Sequence, residues 1–407
     1  MRIRTRHSRE AVSTLIASFL HFDLSFMLWV MIGALSPFIA ASIEMSASQK
    51  ALMVAVPILS GSLLRMPLGV LSDRVGGKLV GLCMLIFLFV PLALGWQAAN
   101  GLRGLLAVGL MLGSAGASFA VALPLASRWY PARRQGLVMG IAAAGNSGTV
   151  IANLAAPRLA TIVGWHNVFA LAAIPLAAVV IAFELMAKDS PDLPAQPPMK
   201  VYFGALKQKE LWWFCGIYAV TFGGYVGLSS YLPTFFKDQY HVSPVTAGYL
   251  TAAAAFVGSA VRPLGGYLAD RIGGARLLLV LLLGVVAVYG FGAALPGLAI
   301  MFVVLLAGMA CLGMGNGATF QLVPQRFNSQ VGIATGVIGA VGGTGGFLLP
   351  MLLGSAKQLS GSFGGGFVLL SVAALGALVV VYFLPGRRRE EDSSWSVASR
   401  QAALEDA

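Results

Sequence analysis

One property of this chain limits its fold more than any other: apolar stretches long enough to cross a bilayer recur from end to end. A membrane-spanning helix needs about 20 mostly apolar residues, and windows of that size pick out about twelve candidates. They lie near 12–40, 48–71, 78–98, 103–126, 135–157, 165–187, 210–236, 246–269, 275–294, 298–323, 332–354 and 364–385. The longest polar interruption, 188–209, splits them six and six. Mean hydropathy is +0.83 and 10% of residues are charged, where a soluble domain carries about a quarter. The 50 glycines suit membrane helices, whose backbones approach closely where side chains are small.

The expected fold is an all-α membrane protein with twelve transmembrane helices, six in each of two bundles at 12–187 and 210–385. A basic N-terminus (1–11) precedes them, and a linker (188–209) joins them. The linker's Pro191, Pro194, Pro197 and Pro198 read as a solvated cytoplasmic connector. The tail, 386–407, has acids, serines and no sustained apolar period, and disorder is expected there.

A net charge of +12 would suggest nucleic acid in a soluble protein, but its placement here points to a lipid bilayer and no nucleic-acid partner. With both termini cytoplasmic, twenty Lys and Arg residues fall on that side. Lys50, Arg103, Arg158, Lys237 and Lys357 fall on the other, and only Arg65 and Arg262 remain inside the membrane. The positive-inside rule therefore orients the chain with both ends in the cytoplasm. Arg2 to Arg9 before an apolar run imitates a signal peptide. The run is too long for one, so an uncleaved first span is expected. The compact chain reads as a multi-pass protein of a cell inner membrane.

The two intramembrane arginines stand in two copies of one local sequence. The first is Arg65-Met-Pro-Leu-Gly69-Val-Leu-Ser-Asp73-Arg74-Val-Gly76-Gly77-Lys78. The second is Arg262-Pro-Leu-Gly-Gly266-Tyr-Leu-Ala-Asp270-Arg271-Ile-Gly273-Gly274-Ala-Arg276. A guanidinium within a bilayer costs roughly 2.5–3.5 kcal/mol even on the lenient insertion scale, so a matched pair reads as an anion site. Other segments repeat too: Gly116-Ala-Ser-Phe119 with Gly317-Ala-Thr-Phe320, and Gly136-Leu-Val-Met-Gly140 with Gly332-Ile-Ala-Thr-Gly336. Gly145-Asn146-Ser147-Gly148 is echoed by Gly342-Gly343-Thr344-Gly345-Gly346. Parallel halves place a substrate between them near the midplane.

The Asp73-Arg74-Val-Gly-Gly-Lys78 loop, with its echo after the eighth span, resembles the signature loop of the major facilitator superfamily. Within that superfamily the chain is similar to the nitrate/nitrite porters. The likeness rests on Pro57-Ile-Leu-Ser-Gly61-Ser-Leu-Leu-Arg65, Gly145-Asn146-Ser147-Gly148, Thr319-Phe320-Gln321 and Gly342-Gly343-Thr-Gly-Gly346-Phe347-Leu-Leu-Pro350. It covers all the spans and leaves out the termini.

That resemblance implies nitrate or nitrite moving by alternating access, held between Arg65 and Arg262. It implies a pocket that also uses Phe26, Phe119, Tyr218, Phe222 and Phe320. It further implies a cytoplasmic gate at Asp73, Arg74, Asp270 and Arg271. Where the family usually carries an asparagine before its Gly-Asn-x-Gly, this chain has Ile141-Ala-Ala-Ala144, which leaves Asn146 as the side-chain amide of that stretch.

The residues suit that chemistry in their own right. Arg65 and Arg262 have no obvious intramembrane carboxylate partner, and the guanidinium fork matches a planar anion as lysine cannot. Aromatic walls would flank a flat anion and exclude water, against a reading as core or lipid-facing packing. Gly145, Gly148, Gly342, Gly343, Gly345 and Gly346 read as a moving interface between the halves, against static helix packing. Asp73 and Asp270, at helix ends, are placed to cap a neighbouring helix or pair with Arg74 or Arg271.

Asp23, the one acid well inside a first-half span, is the candidate for proton coupling; the alternative is an interfacial acid paired with a base. Exchange of nitrate for nitrite would need no titratable group. Cys83, Cys215 and Cys311 read as buried small hydrophobes, and no metal or cofactor spacing appears. Gly313-x-Gly315-x-Gly317 lacks a preceding strand and is dismissed as a nucleotide site. A non-enzymatic monomer is expected, with formate or another small carboxylate as the competing substrate. A sensor built on a transporter scaffold is disfavoured for want of an appended domain.

Overall fold

The protein is described from a computed structural model. The structure describes residues 2–130, 144–191, 206–327 and 331–383, with Val138, Ala142 and Gly204 between. The expected start of the fifth span, most of the linker and the tail lie outside the described residues.

Eleven helices among the described residues are long and apolar enough to cross a membrane. In chain order they and the shorter fifth are α1 (Arg9–Ser42), α2 (Ala47–Val75), α3 (Gly77–Gln97), α4 (Leu102–Ser127), α5 (Gly148–Val163) and α6 (Trp165–Met186). The second half comprises α7 (Lys209–Tyr240), α8 (Pro244–Ile272), α9 (Gly274–Gly292), α10 (Leu298–Phe327), α11 (Ile333–Ser360) and α12 (Gly364–Phe383). Each of these falls on an expected span. Several run a few residues further because polar caps, not loss of hydrophobicity, end them. Ser46 and Gln49 form a reciprocal capping box at the start of α2, and Ser243 caps α8 ahead of Pro244.

The repeated Gly-Gly pairs have a backbone cause. Gly76 joins α2 to α3 at φ 110°, and Gly273 joins α8 to α9 at φ 91°. Only glycine takes that conformation without strain, so each repeat turns sharply and places Arg74 and Arg271 at matching helix ends.

Within each half the same partners pack: α2 on α4 and α8 on α10, α1 on α5 and α7 on α11. Between the halves, α2 packs on α11, α5 on α8, and the end of α1 on α7. Polar contacts across this seam gather toward one end. Lys50 Nζ meets Asp238 Oδ2 at 2.7 Å, the Ala47 N–H donates to Gln358 Oε1 at 3.1 Å, and the Ser36 and Thr234 hydroxyls meet at 2.6 Å. At the opposite end, Asp73–Arg128 and Lys78–Glu184 join helices of the first half, and Glu210–Arg326 joins helices of the second.

Two expectations are corrected here. Two of the linker's first residues, Asp189 and Ser190, are held against the first bundle, while Lys188 and Pro191 are exposed. The Asp189 carboxylate accepts the Gly77 and Lys78 N–H groups at 2.7 and 3.2 Å, and the buried Ser190 hydroxyl donates to the Arg128 carbonyl. Asp189 thus satisfies the start of α3. Cys83, expected to be buried, is exposed on the outer face of α3, while Cys215 is buried.

Candidate functional site

Arg65 faces inward because α2 turns one stripe to the protein interior: Ile58, Ser62, Arg65 and Ser72 are buried, while Leu63, Met66 and Leu71 are exposed. That is the spacing of one helical face. Arg65 is 1% exposed. Its Nε donates to the Gly116 carbonyl at 3.0 Å, and its Nη1 crosses the seam to the Gly339 carbonyl at 2.6 Å. Its Nη2 is buried without a hydrogen-bond partner among the described residues. A buried donor left unmet costs about 1–3 kcal/mol, more when charged. No ion pair among the described residues involves either intramembrane arginine.

Arg262 starts a new helical segment after a break at Val261. Pro263 explains the break, since the residue before it and the carbonyl four residues back are both disturbed. Arg262 is half-buried, and its Nη2 donates to the Tyr218 hydroxyl at 3.4 Å. Tyr218 is fully buried and seated against Gly342, where a Cβ would lie 2.2 Å from its ring.

An aromatic chain surrounds these groups. Tyr218 stacks parallel on Phe222 with centroids 4.9 Å apart and meets Phe320 edge-on at 4.9 Å. Phe320 lies 6.0 Å from Phe119 across the seam. The Arg65 guanidinium sits 4.8 Å from the Phe222 centroid, 5.4 Å from Phe119 and 5.5 Å from Trp29. Arg65, Arg262, Tyr218, Phe119, Phe222 and Phe320 therefore come together. Phe26 is one ring removed, packed on Phe22 at 4.4 Å and Trp29 at 5.1 Å.

Trp29 belongs to the cluster, and the sequence reading missed it. Its Nε1 donates to the Pro57 carbonyl at 2.7 Å, and its ring fills the space beside Gly116, where a Cβ would meet it at 2.3 Å. The spacing Phe22, Phe26, Trp29 marks one face of a helix and was the available signal.

Asn146 makes no hydrogen bond to either arginine among the described residues. It sits in a 3₁₀ turn, Ala144–Ser147, with Oδ1 buried and unpartnered among the described residues. Beside it Ser147 donates to Asp23 Oδ1 at 2.6 Å, so Asp23 meets a hydroxyl there rather than a basic neighbour. The gate residues also differ from expectation. Asp73 pairs with Arg128 of α4, not with Arg74 or Arg271. Arg74 and Asp270 are exposed, and Arg271 lies 4.5 Å over the Tyr267 ring.

The glycines do not all face the other half. A Cβ at Gly145 or Gly148 would strike Asp23 backbone atoms of α1, and one at Gly345 the Ala219 carbonyl of α7. Only Gly343 and Gly346 meet α2, at Ser62 and Ile58. The others let helices of one half close on each other.

The family model described as Major Facilitator Superfamily matches residues 17–350. A nitrite extrusion protein of Bacillus subtilis is 35% identical over 378 residues, covering 89% of this chain and 92% of that protein. The chain belongs to the nitrate/nitrite porter family of the major facilitator superfamily. A probable nitrate/nitrite transporter, NarK2, of Mycobacterium tuberculosis is 34% identical, covering 90% of this chain and 94% of that one. A probable nitrate transporter, NarT, of Staphylococcus epidermidis is 30% identical, with coverage of 92% and 97%. Among solved structures, the fold matches a bacterial homolog of the human lysosomal transporter Spinster with TM-score 0.68 at 20% identity, covering 90% of this chain and 95% of that one. The porter is thus an all-α, multi-pass membrane protein of a transporter family.

Proposed function

We propose that this porter is a secondary active transporter that moves nitrate and/or nitrite across the cell inner membrane by alternating access, holding the anion between Arg65 and Arg262. The observation that carries this reading is the unmet Arg65 Nη2, buried among rings and, among the described residues, without a carboxylate to neutralise it. A small planar anion would supply the missing acceptor and the missing charge. Tyr218, already bonded to Arg262, gives the ligand a hydroxyl, and Phe119, Phe222 and Phe320 keep water away. The names of the relatives support the substrate. The charge distribution supports cytoplasmic termini, and the two six-helix halves would be the bodies that rock.

In that orientation the polar clasp at Lys50, Asp238, Ser36 and Thr234 closes the outer side. Asp73 with Arg128 steadies the inner end of the first half, a different pairing from the one the signature loop suggested. Asp23 is the group available for proton coupling, because it is half-buried in α1 beside a hydroxyl.

Uptake of labelled nitrate into proteoliposomes tests the reading. Flux that requires internal nitrite would make the porter an exchanger and leave Asp23 structural. Flux driven by an inward proton gradient, and lost in Asp23→Asn, would make it a symporter. No nitrate flux under either condition, with formate flux instead, would overturn the substrate assignment.

A further inference from the structure

The outer face of the first half carries a groove that the anion site does not use. It lies between α2 and α3, which the Gly76 turn joins, and has a volume of about 410 Å³. Leu64, Leu68, Leu71 and Val75 of α2 form one wall, and Leu79 and Met84 of α3 contribute the other. The four α2 positions share one helical face; Leu71 and Val75 are exposed on it, as is Leu79 of α3 beside it.

We propose that this groove seats one acyl chain of an anionic phospholipid, whose phosphate is met by Arg74. Arg74 ends α2 three residues after Leu71 and beside Val75, so it stands at the mouth of the groove, and it is exposed. Among the described residues at this end of the first half, other positive features are already engaged. Lys78 is held by Glu184 at 3.0 Å, Arg128 by Asp73, and the N–H groups opening α3 by Asp189. A basic residue at a helix end beside a cleft between membrane helices is the arrangement that takes anionic headgroups.

The repeat supplies an internal comparison, because Arg65 and Arg262 align the two copies. Leu68 corresponds to Gly265, which lets α10 close on α8: a Cβ there would lie 2.1 Å from the Met314 carbonyl. Leu79 corresponds to Arg276, a charge where the groove has an apolar wall. Arg74 corresponds to Arg271, which lies on the Tyr267 ring, while the first copy has Val70 at that place. The feature is therefore a property of one half and not of the fold.

Native mass spectrometry of the purified full-length chain, with phosphatidylglycerol, phosphatidylethanolamine and phosphatidylcholine of equal acyl length, tests it. Retention of one phosphatidylglycerol at least tenfold better than phosphatidylcholine is expected. Arg74→Gln should abolish that preference while Arg271→Gln leaves it intact. Leu71→Trp, at an exposed position, should fill the groove and lower retention of the whole lipid. Equal retention of all three lipids overturns the proposal, as does an equal effect of the two arginine variants. Displacement of the lipid by inorganic phosphate, with Leu71→Trp silent, would leave a headgroup contact alone and overturn the acyl seat.

Discussion

Arg65 of the first half donates to the carbonyl of Gly339 in the second at 2.6 Å, so one side chain serves both the candidate anion site and the seam between the halves. The Nε of the same guanidinium is fixed on Gly116 of α4. Anion binding at Nη2, as proposed, would thereby be tied to where α11 sits relative to α2.

Arg65→Lys keeps the charge and removes the fork. An ammonium cannot reach Gly116, Gly339 and an anion in one plane, and hydrogen bonds to charged groups contribute about 1.5–3 kcal/mol each. The KM for nitrate in proteoliposomes should rise about tenfold to a hundredfold. Unchanged kinetics would remove Arg65 from the site.

Tyr218→Phe keeps the ring stack on Phe222 and deletes the hydroxyl that Arg262 meets at 3.4 Å. A hydrogen bond to a charged group contributes about 1.5–3 kcal/mol at good geometry and less at this length, so the KM should rise about tenfold. Thermal stability in detergent should barely move, which separates a ligand contact from a packing role.

Gly148→Ala should destabilise the protein. The new Cβ would lie 1.9 Å from the Asp23 carbonyl, and overpacking of this kind costs about 1–3 kcal/mol. Gly336→Ala is its control, because nothing lies within 4 Å of a Cβ there. A clearly lower melting temperature for the first and not the second is the expected pattern.

Lys50→Met should loosen the clasp between α2 and α7. The pair is largely buried, with side chains 19% and 24% exposed, and its loss is set at about 1 kcal/mol. Spin labels at the exposed Glu44 and His241 should then show a larger fraction of long distances. The exchange Lys50→Asp with Asp238→Lys should restore the short ones.

The spans were legible because hydrophobicity over a window decides whether a segment crosses, and no tertiary detail is needed. The inward arginines were legible because a charge alone is costly in lipid, and most of the aromatic cluster came with the family resemblance. Partners were not. Asp73 and Arg128 stand on different helices, and nothing local distinguishes Arg128 from Arg74 as the closer cation. The glycine faces were misread because about 100° of rotation separates adjacent helix positions. Gly342 thus seats Tyr218 while Gly343 meets Ser62. Trp29 was readable from its spacing with Phe22 and Phe26, but its bond to the Pro57 carbonyl depends on how α1 leans on α2.

Helix α11 carries its paired small residues on two flanks, and the flanks touch different kinds of matter. On one, Gly345 abuts the α7 backbone at Ala219, where any slide would drive peptide against peptide. On the flank toward α2 the nearest atoms belong to side chains, the Ser62 hydroxyl for Gly343 and the Ile58 Cγ2 methyl for Gly346, although Gly346 also lies 3.4 Å from the Gly223 carbonyl of α7. The first flank is a weld and the second a bearing. If the halves rock as proposed, a helix built this way would travel with its own half and slip along the other, and the line of slip would follow the glycines that meet side chains rather than main chain.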